Sequence, residues 1–474
     1  MKTDSKGIAI RDKNQFTEGS VIKSILLLTF PIIIGNLLQS AYQLTDAFWV
    51  GRLGAEAIAS VTISFPLMFL IIALSGGIGM GAAVLVSQYK GKGDKEMIDK
   101  VTSQALLLAF IVSIIFTILG YLFSPNIISL FGADKNVYDG AVSYLKISFL
   151  GLFFIFGYMV YQAIMRGVGD AKTPVYIVLG TVILNLILDP LFIFGWKFIP
   201  AYGVAGAAFA TVLTQAIALF IGIGLMYIGR SHINFYPKNL KPNRKIIKNI
   251  IKLGVPISLE QSSRSIGFLL MSALATSFGT VILAAYGIGM QVIGLVIVVA
   301  LSLSIANSSL IGQNLGAGKI DRAEKIAKTS AFLGFFSLTF IGLILFIFAP
   351  YIIQSFIPSS QIVIEKGTWF IRAVALTFGL VGVNMAFLGA IRGSGNAKTT
   401  MKLSLFAVFV QVMSAYILSK YTALGEYGLW LAFPISNIAG MLAATYIIMK
   451  GEWKNKNLIE KPEIKEKIKK LPKN

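Results

Sequence analysis

Long apolar stretches are the feature that most limits what this chain can fold into. A helix needs roughly 20 residues to cross a bilayer core of about 30 Å, and the sequence holds twelve apolar stretches of at least about that length. Strands of a membrane barrel run only about 10 residues and alternate strictly, which these stretches do not. We therefore predict an all-α polytopic membrane protein with twelve transmembrane helices. The predicted spans lie near residues 22–50, 56–88, 99–123, 138–165, 173–196, 204–229, 249–275, 281–311, 325–349, 362–391, 398–419 and 428–450.

Composition agrees with a membrane protein and excludes several functions. Of 474 residues, 56% are hydrophobic and 13% charged, far from the balance of a soluble domain. The net charge of +21 is spread over the connectors between spans, so we do not predict nucleic-acid binding. The absence of cysteine excludes thiolate metal sites and cysteine catalysis, and the single histidine, His232, lies in a basic connector. The stretch Gly312–Lys319 has the wrong length for a phosphate-binding loop, which argues against ATP as the driving force.

A short motif occurs twice and reveals a tandem duplication. Residues 166–173 read RGVGDAKT and residues 392–399 read RGSGNAKT, which agree at six of eight positions at a separation of 392 − 166 = 226. At a separation of 225, further pairs match: Pro31 with Pro256, Gln88 with Gln313, Gly91 with Gly316, and Gly203 with Gly428. Each unit holds six spans, so both units have the same orientation and form two six-helix lobes related by a pseudo-two-fold axis along the membrane normal. We interpret the motifs themselves as tight turns that bind nothing.

Basic residues predict the topology. The connector between the sixth and seventh spans carries seven lysines and arginines between residues 230 and 252 and no acid, which places it and both termini in the cytoplasm. We predict a multi-pass protein of the plasma (inner) membrane. Its segments are a cytoplasmic tail at 1–20, an N-lobe at 21–230, a basic cytoplasmic linker at 231–248, a C-lobe at 249–452 and a basic cytoplasmic tail at 453–474.

Acidic residues inside apolar spans are the strongest functional candidates, because a charge at mid-bilayer costs at least about 2.5 kcal/mol. Asp46 lies 54 − 46 = 8 residues from the outer end at Gly54, about 12 Å, and Asp189 lies 196 − 189 = 7 residues from Trp196, about 10 Å. The two carboxylates therefore share a depth. Asn185 and Tyr42 each lie one helical turn from an acid, on the same helix face. Such a set could hold a proton or coordinate sodium through oxygen, and we predict no other metal and no organic cofactor.

The second lobe differs at the matching positions. Asp46 corresponds to Met271, and the acid of the seventh span, Glu260, corresponds to Gly35. Glu260 is followed by Arg264 at i+4, so the two can neutralise each other along the helix. An internal ion pair is the favoured interpretation of Glu260, and a role in carrying an ion stays open.

Taken together, the motifs resemble those of the multidrug and toxic compound extrusion (MATE) family of secondary antiporters. The resemblance rests on Pro31, the stretch TDAFWVGRLG at 45–54, the two RGxGxAKT loops and Asn185 with Asp189-Pro190. It implies a V-shaped pair of lobes that alternates between outward-open and inward-open states and exports amphipathic, often cationic compounds in exchange for protons or sodium. It also implies supporting roles for Tyr144 and Gln162. The chain departs from similar proteins in the seventh span, and in the tenth span Asn384 is the nearest polar residue to an acid used by some sodium-driven members.

We therefore expect an ion-coupled efflux antiporter, monomeric, with small amphipathic or cationic substrates, the lipid bilayer as its surroundings and no nucleic-acid partner. One alternative is a flippase for a lipid-linked precursor, although its path should carry cations at mid-membrane where this sequence has acids. The other is a membrane-embedded enzyme, which the near absence of histidine and cysteine disfavours.

Overall fold

The computed structural model describes residues 16–132, 134–229, 233–455 and 458. Arg230, His232, most of the N-terminal tail at 1–20 and most of the C-terminal tail at 453–474 lie outside these residues. The described chain is all-α: it has no named strand, and only an isolated bridge joins Trp196 and Ile199. Its α-helices are α1 (Val21–Gly51), α2 (Ala55–Lys92), α3 (Lys95–Leu130), α4 (Lys135–Leu150), α5 (Leu152–Gly167), α6 (Lys172–Phe194), α7 (Val204–Tyr227), α8 (Arg244–Thr276), α9 (Thr280–Gly316), α10 (Ile320–Phe356), α11 (Gln361–Ala375), α12 (Phe378–Gly393), α13 (Ala397–Tyr421) and α14 (Glu426–Lys450).

These helices account for the twelve predicted spans. Nine described helices are long and apolar enough to cross a membrane, and two bent pairs raise the number to eleven. The twelfth is α8, which has 33 residues but is less apolar because it starts in a basic segment and carries Glu260 and Arg264. It begins at Arg244, within the predicted linker, where the side chain of Asn243 accepts hydrogen bonds from the first turn.

The fourth and tenth spans are bent, whereas the sequence predicts one continuous helix for each. The bend is 51° between α4 and α5 and 49° between α11 and α12. A Cβ on Gly151, at the first break, would lie 2.1 Å from Val212 Cγ2, so this backbone packs directly on α7. At the second break the hydroxyl of Thr377 donates to the carbonyl of Val374 (2.9 Å). The breaks are 376 − 151 = 225 residues apart, so the bend belongs to the duplicated unit.

Both copies of the repeated motif form tight turns, as predicted. Gly169 and Gly395 have φ of 93° and 88°, a left-handed conformation that glycine adopts without strain. In the first copy Asp170 accepts hydrogen bonds from the backbone of Lys172 and Thr173 and so caps the start of α6. We use "motif end" for the end of the helices at which these two turns lie.

The two lobes contact each other at the motif end through a reciprocal pair of hydrogen bonds. Gln88 of α2 donates to the carbonyl of Gly393 (3.0 Å), and Gln313 of α9 donates to the carbonyl of Gly167 (2.9 Å). The partners correspond under the duplication, because 313 − 88 = 225 and 393 − 167 = 226. A glutamine of each lobe therefore binds the last residue of the helix that leads into the motif turn of the other lobe.

Glycines bring the backbones together at this interface. A Cβ on Gly91 would lie 1.9 Å from the carbonyl oxygen of Gln313, and a Cβ on Gly316 would lie 2.0 Å from that of Gln88. Only glycine fits so close to a neighbouring backbone. Gly81 packs in the same way on α8, since its Cβ would lie 2.8 Å from the backbone nitrogen of Gly254.

Candidate functional site

A buried polar pair on α6 forms the base of the site. Asn185 and Asp189 are four residues apart and therefore lie on one face of the helix, one turn from each other. The side-chain amide of Asn185 donates to Asp189 Oδ1 at 2.9 Å, and both side chains are fully buried. The helix α6 packs against α1 and α7, which supply further residues of the site.

Asp46 approaches the pair from α1. Its side chain is half-buried and lies beside both Asp189 and Asn185. Asp46 Oδ2 accepts a hydrogen bond from the hydroxyl of Thr211 on α7 (3.2 Å). The structure thus brings together the three residues that the sequence predicts for ion coupling.

Two tyrosines and two threonines surround the carboxyl groups. The hydroxyls of Tyr42 and Thr214 are 2.6 Å apart, and Thr214 donates its proton to the carbonyl of Thr211 (2.8 Å), so Tyr42 is the donor between the two hydroxyls. Tyr144 on α4 is close enough to interact electrostatically with both acids. Tyr42 and Tyr144 were expected here, whereas Thr211 and Thr214 were not. Their only sequence signal is a pair of hydroxyls at i and i+3 in a largely apolar helix.

The site has more acceptors than donors. Three of its buried oxygens, Asp46 Oδ1, Asn185 Oδ1 and Asp189 Oδ2, have no hydrogen-bond partner among the described residues. Two adjacent carboxylates do not both keep their charge at low cost, and a proton or a cation between them removes the repulsion. No group of three or more His, Cys, Asp or Glu in the described chain could hold a transition metal. The carboxylate and amide oxygens of the site fit a proton or a hard monovalent cation.

Two predicted polar residues lie elsewhere. Gln162 accepts a hydrogen bond from Arg166 (2.6 Å) in a separate pocket near the motif end. Asn384 on α12 faces α14, where a Cβ on Gly440 would lie 3.1 Å from its amide nitrogen. Neither residue is among the described contacts of the two aspartates.

The acid of the second lobe is held by two arginines. Glu260 Oε1 pairs with Arg264 at 3.0 Å, as the i+4 spacing predicts, and with Arg392 at 2.6 Å. Both Glu260 and Arg392 are buried. Arg392 is the first residue of the second repeated motif. The pair of Glu260 with Arg392 was not predicted, because in the sequence Arg392 resembles an ordinary basic residue at the end of a span. That the motif binds no ligand stays a prediction.

The second lobe is apolar where the first lobe has its acids. Asp46 corresponds to Met271 (46 + 225), Asp189 to Ala415 (189 + 226) and Tyr144 to Phe370 (144 + 226). These three counterparts are buried in one hydrophobic cluster. Phe370 packs on Trp430 with ring centroids 4.4 Å apart. The two acids and the tyrosine of the first-lobe site are thus replaced by apolar side chains in the second lobe.

Twelve spans in two duplicated lobes, with a buried polar site in one of them, define a polytopic membrane transporter. The comparisons with known proteins agree, since a family model described as MatE matches residues 31–191 and again 256–417. The chain belongs to the MatE family. One matched segment falls in each half of the duplication.

Individual relatives cover nearly the whole chain. It is 30% identical over 469 residues to a probable multidrug resistance protein, YoeA, of Bacillus subtilis, covering 97% of this chain and 99% of the relative. A second B. subtilis protein, the probable multidrug resistance protein YpnP, is 28% identical over 442 residues, covering 93% and 97%. The fold matches a crystal structure of a MATE protein in complex with MaL6 with a TM-score of 0.88 at 28% identity, covering 94% of this chain and 100% of the other.

Proposed function

We propose that this protein is a secondary active antiporter that exports amphipathic, cationic small molecules in exchange for protons or sodium. The observation that carries the proposal is the site formed by Asp46, Asn185 and Asp189, with three buried oxygens that have no partner among the described residues. The relatives described as multidrug resistance proteins support the export of drugs or toxins.

Ion binding acts on the contact between α1 and α6. Asp46 belongs to α1 and Asp189 to α6, so a proton or sodium ion between them replaces repulsion by attraction. Without the ion, the two negative charges favour a bound organic cation. Ion and substrate therefore exclude each other, which is the requirement for exchange.

The helix α1 also connects this site with the other lobe. Asn36 on α1 donates to the hydroxyl of Ser302 on α9 at 3.0 Å. A change in how α1 packs on α6 is therefore transmitted to the lobe interface. Alternating access requires the reciprocal Gln88 and Gln313 contacts to separate when the path opens at the motif end.

The distribution of basic residues assigns the motif end to the cytoplasm. With its lobes joined at that end, the described arrangement corresponds to a state closed toward the cytoplasm. Both termini are then cytoplasmic, and the protein resides in the plasma (inner) membrane as a monomer.

Transport in proteoliposomes tests the coupling. Ethidium, a fluorescent amphipathic cation, is followed under an imposed pH gradient or an imposed sodium gradient, with the wild type and with Asp46→Asn. We expect one of the two gradients to drive ethidium in the wild type and neither to drive it in Asp46→Asn, because the amide cannot take up a proton or balance a cation. Asp139→Asn, the same change at an exposed position, is the matched control. Undiminished gradient-driven transport by Asp46→Asn would exclude this site as the coupling site, and a requirement for ATP would exclude antiport.

A further inference from the structure

The pocket that contains Gln162 lies in the first lobe, nearer the motif end than the two aspartates. It is a cavity of about 50 Å³ between α1, α5 and α6, and its lining includes Gly35, Gln39, Gln162, Arg166 and Pro174. One water needs roughly 10–15 Å³, so the cavity has room for a small polar group. Along α1, Gln39 and Asp46 are 46 − 39 = 7 residues apart, about 10 Å, which separates this pocket from the acids.

The pocket is the first lobe's copy of the Glu260 cluster. In the second lobe Glu260 interacts with Arg264, Arg392 and Thr400. All four have counterparts that line the pocket: Glu260 with Gly35 (260 − 225), Arg264 with Gln39 (264 − 225), Arg392 with Arg166 (392 − 226) and Thr400 with Pro174 (400 − 226). The arginine is kept in both lobes. The carboxylate is present in one and replaced by glycine in the other.

Arg166 consequently lacks the partner that Arg392 has. Its guanidinium is half-buried, and its hydrogen bond goes to Gln162 Oε1 at 2.6 Å. None of the ion pairs among the described residues involves Arg166. A guanidinium has five N–H donors arranged in a fork that matches a carboxylate, and one amide oxygen leaves most of them free. A partly buried charge of this kind is stabilised by an anion placed beside it.

We propose that this pocket binds the carboxylate group of a small molecule, with Arg166 as its partner and the carboxylate in the place that Glu260 occupies in the second lobe. The second lobe holds a carboxylate against the equivalent arginine at 2.6 Å, so the fold accommodates such a pair at this place. The amide of Gln39 supplies a further donor at the position of Arg264. The proposal concerns binding alone and goes beyond ion-driven export, so either can fail without the other.

Thermal unfolding of the purified full chain in detergent tests the site, with sodium benzoate as the probe and benzamide, its neutral counterpart, at matched ionic strength. We expect benzoate to raise the unfolding temperature of the wild type and benzamide to leave it unchanged. Arg166→Gln should weaken benzoate binding about tenfold or more, whereas Arg52→Gln, at the opposite end of α1, should not. Equal effects of benzoate and benzamide, or an unchanged benzoate effect in Arg166→Gln, would overturn the proposal.

A second variant keeps the test decisive if Arg166→Gln does not fold. Gln39→Glu puts a carboxylate within the pocket without added volume, whereas a side chain at Gly35 would press on Val175, which lies 3.2 Å from the added Cβ. We expect Gln39→Glu to fold and to lose the benzoate effect, because its own carboxylate pairs with Arg166. A benzoate effect as large as in the wild type contradicts the proposal.

Two dyes distinguish a free anion from the carboxylate of a larger substrate. Rhodamine B carries a carboxylate and its ethyl ester does not. If the pocket recognises substrates, Arg166→Gln weakens binding of rhodamine B and leaves that of the ester unchanged. If only small anions enter, both dyes bind the variant as they bind the wild type while benzoate binding is lost.

Discussion

The two lobes share one architecture but place their buried charges differently. Far from the motif end, the first lobe has Asp46 and Asp189 where the second has Met271 and Ala415. Near the motif end, the second lobe has Glu260 paired with arginines where the first has Gly35. The acid of the second lobe is neutralised by two arginines, although its Oε2 has no hydrogen-bond partner among the described residues, whereas none of the ion pairs described involves Asp46 or Asp189. An acid that is paired with arginines keeps its charge, while two adjacent carboxylates without a cation change state when an ion arrives. The second lobe therefore holds a fixed ion pair, and we assign the ion-dependent switch to the first lobe.

The largest effect is expected from breaking the ion pair of the second lobe. Glu260→Ala leaves the buried guanidinium of Arg392 without its carboxylate, and we expect the free energy of unfolding to fall by about 3–5 kcal/mol. Unfolding of the purified protein by heat and by denaturant measures it. Glu365→Ala, at an exposed position of α11, is the control and should cost little. A loss no larger than in that control would show that the pair does not stabilise the lobe.

An intermediate effect is expected where the two lobes are alike. Gly91→Ala and Gly316→Ala each place a Cβ about 2 Å from a carbonyl oxygen of the other lobe. Overpacking of this kind costs roughly 1–3 kcal/mol, and here it acts only while the lobes are joined at the motif end. Both variants should therefore shift the population toward the separated state by about fivefold to a hundredfold.

Labelling of an introduced cysteine measures this shift, because the chain has no cysteine of its own. Ser87→Cys provides a buried reporter at the interface, and its reaction with a maleimide should be faster in both glycine variants. Gly180→Ala, where an added Cβ meets nothing within 4 Å, is the control. An increase in only one of the two glycine variants would break the symmetry that the reciprocal contacts imply.

The smallest effect is expected from a hydroxyl at the edge of the first-lobe site. Thr214→Val keeps the shape of the side chain but removes the hydrogen-bond partner of Tyr42. The loss of one such bond is worth about 1 kcal/mol, so the ion concentration that gives half-maximal transport should rise by less than about tenfold. Thr62→Val removes a hydroxyl that bonds only to its own helix, at an exposed position, and should leave this concentration unchanged. If this concentration changed equally in both variants, Thr214 would have no role in the site.

The sequence predicted the elements that obey strong physical rules. A span needs about 20 apolar residues to cross a bilayer, so the spans could be predicted from the sequence. The duplicated motifs predicted the two lobes. An acid inside an apolar span is costly, which singled out Asp46 and Asp189. Their equal depth predicted that they meet, and the structure places them side by side.

The rest depends on packing that no local pattern records. Hydropathy runs unbroken through Gly151, so the bend there was not predicted. Thr211 was missed because a threonine in a helix commonly bonds to its own backbone. Arg392 was missed because an arginine at the end of a span normally reaches the lipid headgroups, and only the folded lobe shows that it turns inward to Glu260.

The most direct test of the switching site is the dependence of substrate binding on the coupling ion in the purified protein. Ethidium affinity is measured across a range of pH without sodium and across a range of sodium at constant pH, for the wild type, Asp189→Asn and Glu260→Gln. We predict that affinity falls with rising concentration of the coupling ion in the wild type and in Glu260→Gln, whose amide oxygen still accepts from Arg392, and that it becomes independent of both ions in Asp189→Asn. Ion dependence that persists in Asp189→Asn, or that disappears in Glu260→Gln, would contradict the assignment of switching to the first lobe.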